Sequence, residues 1–244
     1  MEKIKGKCKY CGKEYTLGYM KRHLASCPVR QAKLSAEKGA KNTGYFELEI
    51  TPKYDRNYWL FIEVRETATL EDIDTFLRDI WLECCGHLSA FDINRISYES
   101  MPDDEFGWGN SEDMDHKLKE VLQVGMKFGY EYDFGSSTEL SITVTNYRLG
   151  QRKKEGLVIL SRNNPYQFKC SECGKPAVAI CTECAWEDKG FLCEECSKTH
   201  KCGEEMLLDV CNSPRMGVCA YCGSDIYPDQ FMADTEKQIE PPKK

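Results

Sequence analysis

The chain has 244 residues, 41% of them hydrophobic, enough for one ordinary core of roughly 100 to 150 residues with small satellite units, which argues against a single large enzyme barrel. Its net charge of −7 is unevenly spread: residues 1–43 carry 11 basic and 3 acidic side chains (+8), residues 44–150 carry 9 and 22 (−13), and residues 151–244 carry 13 and 15 (−2). The longest apolar run, Tyr58 to Val64, falls far short of a membrane span, and the Lys-rich start does not read as a signal peptide, so a cytoplasmic protein is expected.

The fifteen cysteines cannot all pair as disulfides within one chain, and clustered thiols in a reducing compartment point to metal ligation. Thirteen of them fall between Cys8 and Cys27 or between Cys170 and Cys222, leaving Cys84 and Cys85 apart.

In chain order, residues 1–28 contain Cys8-x2-Cys11-x11-His23-x3-Cys27. A Cys-x2-Cys turn converges two thiolates, and His-x3-Cys sets two ligands about one turn apart on a helix face, together supplying a tetrahedron. Tyr15 and Met20 sit near the two apolar positions that a ββα finger uses for its small core. The pattern resembles a CCHC variant of the common zinc finger. So short a unit buries too little surface to fold without its ion. Residues 29–43, with Arg30, Lys33, Lys38 and Lys41, read as a basic linker or a short exposed helix.

From Gly44 the pattern is that of a mixed domain, residues 44–168. Phe46–Tyr54 and Tyr58–Arg65 have strand character. Thr69 is placed to cap a helix in which Leu70, Ile73, Leu77, Ile80 and Trp81 recur at helical spacing, with Gly86 to stop it. Leu88–Ile93 and Ile96–Tyr98 are candidate strands, followed by an acidic loop and a second helix from about Glu112 to Leu122. Two alternating strands close the domain, one marked by Met126, Phe128, Tyr130, Tyr132 and Phe134, the other by Leu140, Ile142 and Val144. Adjacent Cys84 and Cys85 read as buried, inert thiols, and His87 as a hydrogen-bonded structural residue.

The runs GHLSAF (Gly86–Phe91) and YEYDFGSSTEL (Tyr130–Leu140) resemble the plasmid pRiA4b ORF-3-like domain family. The resemblance implies an α+β roll and an association with plasmids and mobile elements, without established catalytic residues. The family usually continues after YDFG with Asp, then Ser-Trp, then a His; this chain has Ser136, Ser137, Thr138 and Leu140 instead.

Residues 169–224 contain Cys170-x2-Cys173, Cys181-x2-Cys184, Cys193-x2-Cys196, then His200 and Cys202. Four successive ligand pairs fit a cross-brace resembling B-box modules: Cys170, Cys173, Cys193 and Cys196 hold one ion, and Cys181, Cys184 and His200 hold the other with Cys202, or Cys219, as fourth ligand. Cys211, Cys219 and Cys222 are left between part of a further site and thiols of a packed hairpin. Residues 225–244 read as a polar, frayed tail.

The expected architecture is therefore α+β, a central α/β roll flanked by two small zinc-binding modules carrying about three zinc ions per chain. Closed sites with four protein ligands argue for scaffold rather than reaction. The function read from these parts is a modular zinc protein contacting nucleic acid or protein, with no membrane association. Lys9, Lys13, Lys21 and Arg22 are the best phosphate-contacting candidates. Two readings compete with it. The +8 segment docks on the −13 domain of its own chain, or the acidic stretch Asp103, Asp104, Glu105, Glu112, Asp113 and Asp115 serves a magnesium-dependent nuclease or recombination accessory.

Overall fold

In the computed structural model, which describes residues 3–37, 39–102, 111–187 and 189–237, the fold is mixed α+β and is dominated by one large sheet. Strands β1 (Lys5–Cys8) and β2 (Glu14–Thr16) are followed by helices α1 (Leu17–Ser26) and α2 (Pro28–Ser35), then β3 (Thr43–Pro52), β4 (Leu60–Arg65) and helix α3 (Leu70–Leu77). Next come β5 (Ser89–Ile93), β6 (Ile96–Glu99), β7 (Ser111–Asp113), the single turn α4 (Leu118–Val121), β8 (Lys127–Tyr132), β9 (Thr138–Gly150) and β10 (Leu157–Asn163). The ten strands are ordered β2-β1-β10-β4-β3-β9-β8-β5-β6-β7, antiparallel throughout except for the parallel β6–β7 pair. The C-terminal region adds β11 (Ala179–Cys181), β12 (Phe191–Leu192), α5 (Glu194–Ser197), β13 (Leu207–Asp209) and α6 (Asp234–Lys237), with a small sheet ordered β12-β11-β13.

Alternation along β3 and β4 explains how the sheet is covered on both sides, because successive side chains leave a strand on opposite faces. Phe46, Leu48 and Ile50 with Leu60, Ile62 and Val64 join the main core beneath α3. Thr69 caps α3 in a reciprocal box with Asp72, and Leu70, Ile73 and Leu77 point into the core, joined by Ile80 and Trp81 from a π turn over Arg78–Leu82. The opposite face presents Trp59 and Phe61, which pack with Met20, Leu24, Tyr10 and Leu160 in a second cluster.

The N-terminal unit is thus no separate bead. Strand β1 pairs with β10, Gly6 opposite Asn163 and Cys8 opposite Ser161, and the finger's small apolar core is completed by aromatic residues of the sheet. The same sheet face carries Glu47, Glu49 and Glu63, and the N-terminal helices meet them with Arg30 (2.5 Å to Glu47, 3.5 Å to Glu63) and Lys21 (2.9 Å to Glu49).

Three segments differ from their sequence pattern. The helix expected from Glu112 to Leu122 reduces to α4, because Ser111–Asp113 extends alongside β6 instead. Phe134 is 50% exposed rather than facing the core, since β8 ends at Tyr132 and Asp133 adopts φ +64°, turning the chain. The polar tail is not frayed over its described part. Ala233 is buried, Asp234 accepts from Lys9 and Lys33 at 2.9 Å, and Glu236 accepts from Lys7 at 2.6 Å. Among the described residues no helix is long and apolar enough to cross a membrane.

Candidate metal centres

The first donor set is built by a turn and a helix end. Gly12, at φ +68°, lets the chain fold back so that its N–H donates to Cys8 O while Cys8 N–H donates to Lys13 O. This brings the Cys8 and Cys11 thiols to one side. His23 lies in the last turn of α1, and Cys27 stands at the break between α1 and α2, where Pro28 starts the second helix. The ligand atoms of Cys8, Cys11, His23 and Cys27 all lie within 4.8 Å of one another, with Cys11 Sγ 3.3 Å from His23 Nε2. Tyr15 stacks on the His23 ring at 4.5 Å. Burial, then the nearby Lys13 charge, lowers the His23 pKa, which favours the neutral imidazole that a metal needs.

The C-terminal module repeats the same turn. Gly174, at φ +76°, donates to Cys170 O, and Cys170 donates to Lys175 O. Cys193 precedes α5 and Cys196 lies on it. The sulfurs of Cys170, Cys173, Cys193 and Cys196 converge within 4.8 Å, with Cys173 Sγ 3.5 Å from Cys193 Sγ and 3.7 Å from Cys196 Sγ. Cys181 and Cys184, at the end of β11 and the turn after it, meet His200 and Cys202 in another set within 4.8 Å. Cys184 Sγ is 3.4 Å from His200 Nε2 and 3.6 Å from Cys202 Sγ. His200 Nδ1 faces Glu172 Oε1 at 3.6 Å. The first and third Cys pairs meet at one point, and the second pair meets His200 and Cys202 at the other. Cys202 lies with the latter group, whereas Cys219 lies elsewhere.

The donor separations are compatible with a tetrahedrally held metal ion. A tetrahedron with metal–sulfur bonds of about 2.3 Å and metal–nitrogen bonds of about 2.0 Å has edges of roughly 3.5 to 3.8 Å, and the nearest donor pairs here, 3.3 to 3.7 Å apart, lie close to that. Four converging sulfurs cannot all ionise without a cation among them. Burial opposes ionisation of Cys170, yet backbone N–H groups of Cys193, Cys173 and Glu172 bring its thiol down to about 6. Shared hydrogen bonds with Cys193 and Cys173 push Cys196 up. Thiolate-rich sets with an occasional imidazole fit zinc, and four protein ligands leave no position for a reacting water.

A fourth convergence, unexpected from the sequence, joins Cys84, Cys85 and His87 to Cys219, again with all ligand atoms within 4.8 Å. Cys211 and Cys222 join none of the four sets; Cys211 is buried, and that burial pushes its thiol up to about 12. Of the acidic stretch, Asp103, Asp104 and Glu105 lie outside the described residues. Glu112 contacts His116 Nε2 at 3.0 Å, and Asp113 accepts from the Asp115 N–H.

Of the phosphate-contacting candidates, Lys9 and Lys21 are bound to Asp234 and Glu49. Arg22 lies over the exposed Tyr19 ring at 4.5 Å, beside a cavity of about 430 Å³ lined partly by Lys3, Arg56 and Trp59.

In comparison with known proteins, residues 46–164 match the family model of the plasmid pRiA4b ORF-3-like protein. Among solved structures, the chain is similar to a protein of unknown function, MM3350, from Methanosarcina mazei Go1, at 16% identity and a TM-score of 0.42, over 48% of this chain and 68% of that one. No curated protein matches the chain.

Proposed function

We propose that this is a zinc-braced interaction protein of a reducing compartment, in which the finger and the cross-brace are held in shape by structural zinc and the partner is a protein rather than nucleic acid. The plasmid or mobile-element setting suggested by the family description belongs to this reading. The observation that carries it is the closed character of the sets at Cys8, Cys11, His23 and Cys27, at Cys170, Cys173, Cys193 and Cys196, and at Cys181, Cys184, His200 and Cys202, each with four protein donors within 4.8 Å. Such sites supply folding energy and rigid loops instead of a reactive metal.

Two features support a protein partner. Much of the N-terminal basic charge is engaged within the chain: Arg30 with Glu47 and Glu63, Lys21 with Glu49, Lys9 and Lys33 with Asp234, and Lys7 with Glu236. Nucleic acid would have to displace those carboxylates to gain the counterion release that drives such binding. Trp186, meanwhile, is 90% exposed on the turn after Cys184, and Trp is among the residues that most often anchor protein interfaces.

The test is a titration of binding to duplex DNA against salt on the zinc-loaded protein. Undetectable or nearly salt-independent binding is expected; a steep slope, equivalent to several phosphates neutralised, would reverse the choice of partner.

A further inference from the structure

We propose that Cys84, Cys85, His87 and Cys219 form a fourth zinc site, which fastens the C-terminal return of the chain to the central sheet. The other three sets each close within one short stretch, whereas here Cys85 and Cys219 stand 134 residues apart.

The four donors converge within 4.8 Å, as those of each other set do. Cys85 Sγ lies 3.2 Å from Cys219 Sγ and 3.3 Å from His87 Nε2, and Cys219 Sγ lies 3.5 Å from the same nitrogen. The loop after the π turn is shaped for it. Gly86 adopts φ +73° and donates to Glu83 Oε1, so Cys84, Cys85 and His87 turn toward one point. Cys219 is held at φ +55°, a left-handed conformation that a non-glycine residue adopts at a cost and that tends to persist where a site requires it.

Groups behind the donors are placed as around a bound metal. His87 Nδ1 faces Asp133 Oδ1 at 3.5 Å, the carboxylate-behind-imidazole arrangement that fixes a ligating tautomer. The buried Arg215 donates to Asp133 Oδ2 at 2.6 Å and to Cys84 Sγ at 3.5 Å, so a guanidinium offsets the excess negative charge of three thiolates around one divalent ion. His87–Asp133 repeats the His200–Glu172 pairing of the cross-brace.

The loop bearing Cys219 is already aligned on the sheet. Ser213 Oγ donates to Trp81 O at 2.6 Å, and Arg215 also donates to Ser136 O and Thr138 Oγ1. Zinc then acts as a long-range clamp on a prepared contact, and a cross-link closing a long loop removes more freedom from the unfolded chain than one closing a short loop.

The experiment is native mass spectrometry of untagged, zinc-loaded protein kept under reducing conditions, beside a Cys85→Ser, Cys219→Ser double variant and a Cys222→Ser control. Four ions in the unmutated protein, three in the double variant and four in the control are expected. Three ions in the unmutated protein, or no loss in the double variant, overturns the fourth site and leaves the other three standing. A chain without zinc overturns the wider reading as well. A Cys85–Cys219 disulfide as the native state, read as a 2 Da loss mapped to that pair before reduction, also overturns it. Should the double variant fail to fold, alkylation of the unmutated protein decides: Cys85 and Cys219 are expected to react more slowly than Cys222 until a chelator is added, and equal rates contradict the site.

Discussion

Glu63 shows how one side chain joins the two halves of the electrostatic pattern. It is almost fully buried on the sheet face opposite the main core, where it accepts from Arg148 at 2.7 Å and from Lys153 at 2.7 Å and lies 3.5 Å from Arg30. Burial alone would raise its pKa, but the hydrogen bonds from Arg148 and Lys153 outweigh it and hold the carboxyl below its ordinary value. Because the folded-state value is depressed, its contribution is present above the unfolded carboxylate pKa of about 4.3 and is lost as pH falls through the folded value. Glu63→Gln leaves Arg30 and Arg148 short of a counter-charge, and a loss of about 3 to 5 kcal/mol at neutral pH is expected. Denaturant unfolding of both proteins from neutral pH to about pH 3 checks this, since the gap between them should close with acidification. A gap that stays constant with pH would assign the loss to packing.

Among the elements, β1 is the one whose placement carries the most consequence, because it turns a finger into an edge extension of the main sheet. A Cβ added at Gly6 would collide with the Arg162 carbonyl and the Trp59 ring, so glycine is what allows β1 to lie so close. Gly6→Ala is expected to cost about 1 to 3 kcal/mol while leaving the zinc count unchanged, measurable by unfolding and elemental analysis on the same sample. Strands β8 and β9 were legible from alternation, since they bury every second side chain, α3 from the Thr69 cap, and β3 and β4 only from their aromatic and β-branched residues, because both their faces are covered. The helix expected over Glu112–Leu122 was not: its acidic start suits a helix N-terminus, but pairing of Ser111–Asp113 with β6 depends on a partner that local pattern cannot reveal. Trp59 and Phe61 likewise read as ordinary strand residues, although they complete the finger's core.

At the scale of the whole molecule, cysteine spacing made three donor sets readable, because each lies within one local stretch. The set at Cys84, Cys85, His87 and Cys219 escaped for the opposite reason: its fourth donor is remote in sequence, and Cys219-x2-Cys222 suggests a pair that the fold separates. The return of the chain after Cys211 was equally hidden. Arg215, Asn212 and Tyr221 are buried, and Asn212 exchanges hydrogen bonds with Asn163 of β10, so a stretch rich in polar residues becomes part of the sheet's support. The sheet therefore has its own large apolar core, whereas the buried cluster of the C-terminal module is largely cysteine, namely Cys170, Cys181 and Cys193 around Leu192. Hydrogen exchange on the full chain, before and after verified zinc removal, tests that contrast most directly. Amides between Cys170 and Cys202 should lose protection on chelation while those of β3 and β9 keep theirs, and unchanged protection from Cys170 to Cys202 in the zinc-free protein would contradict the account.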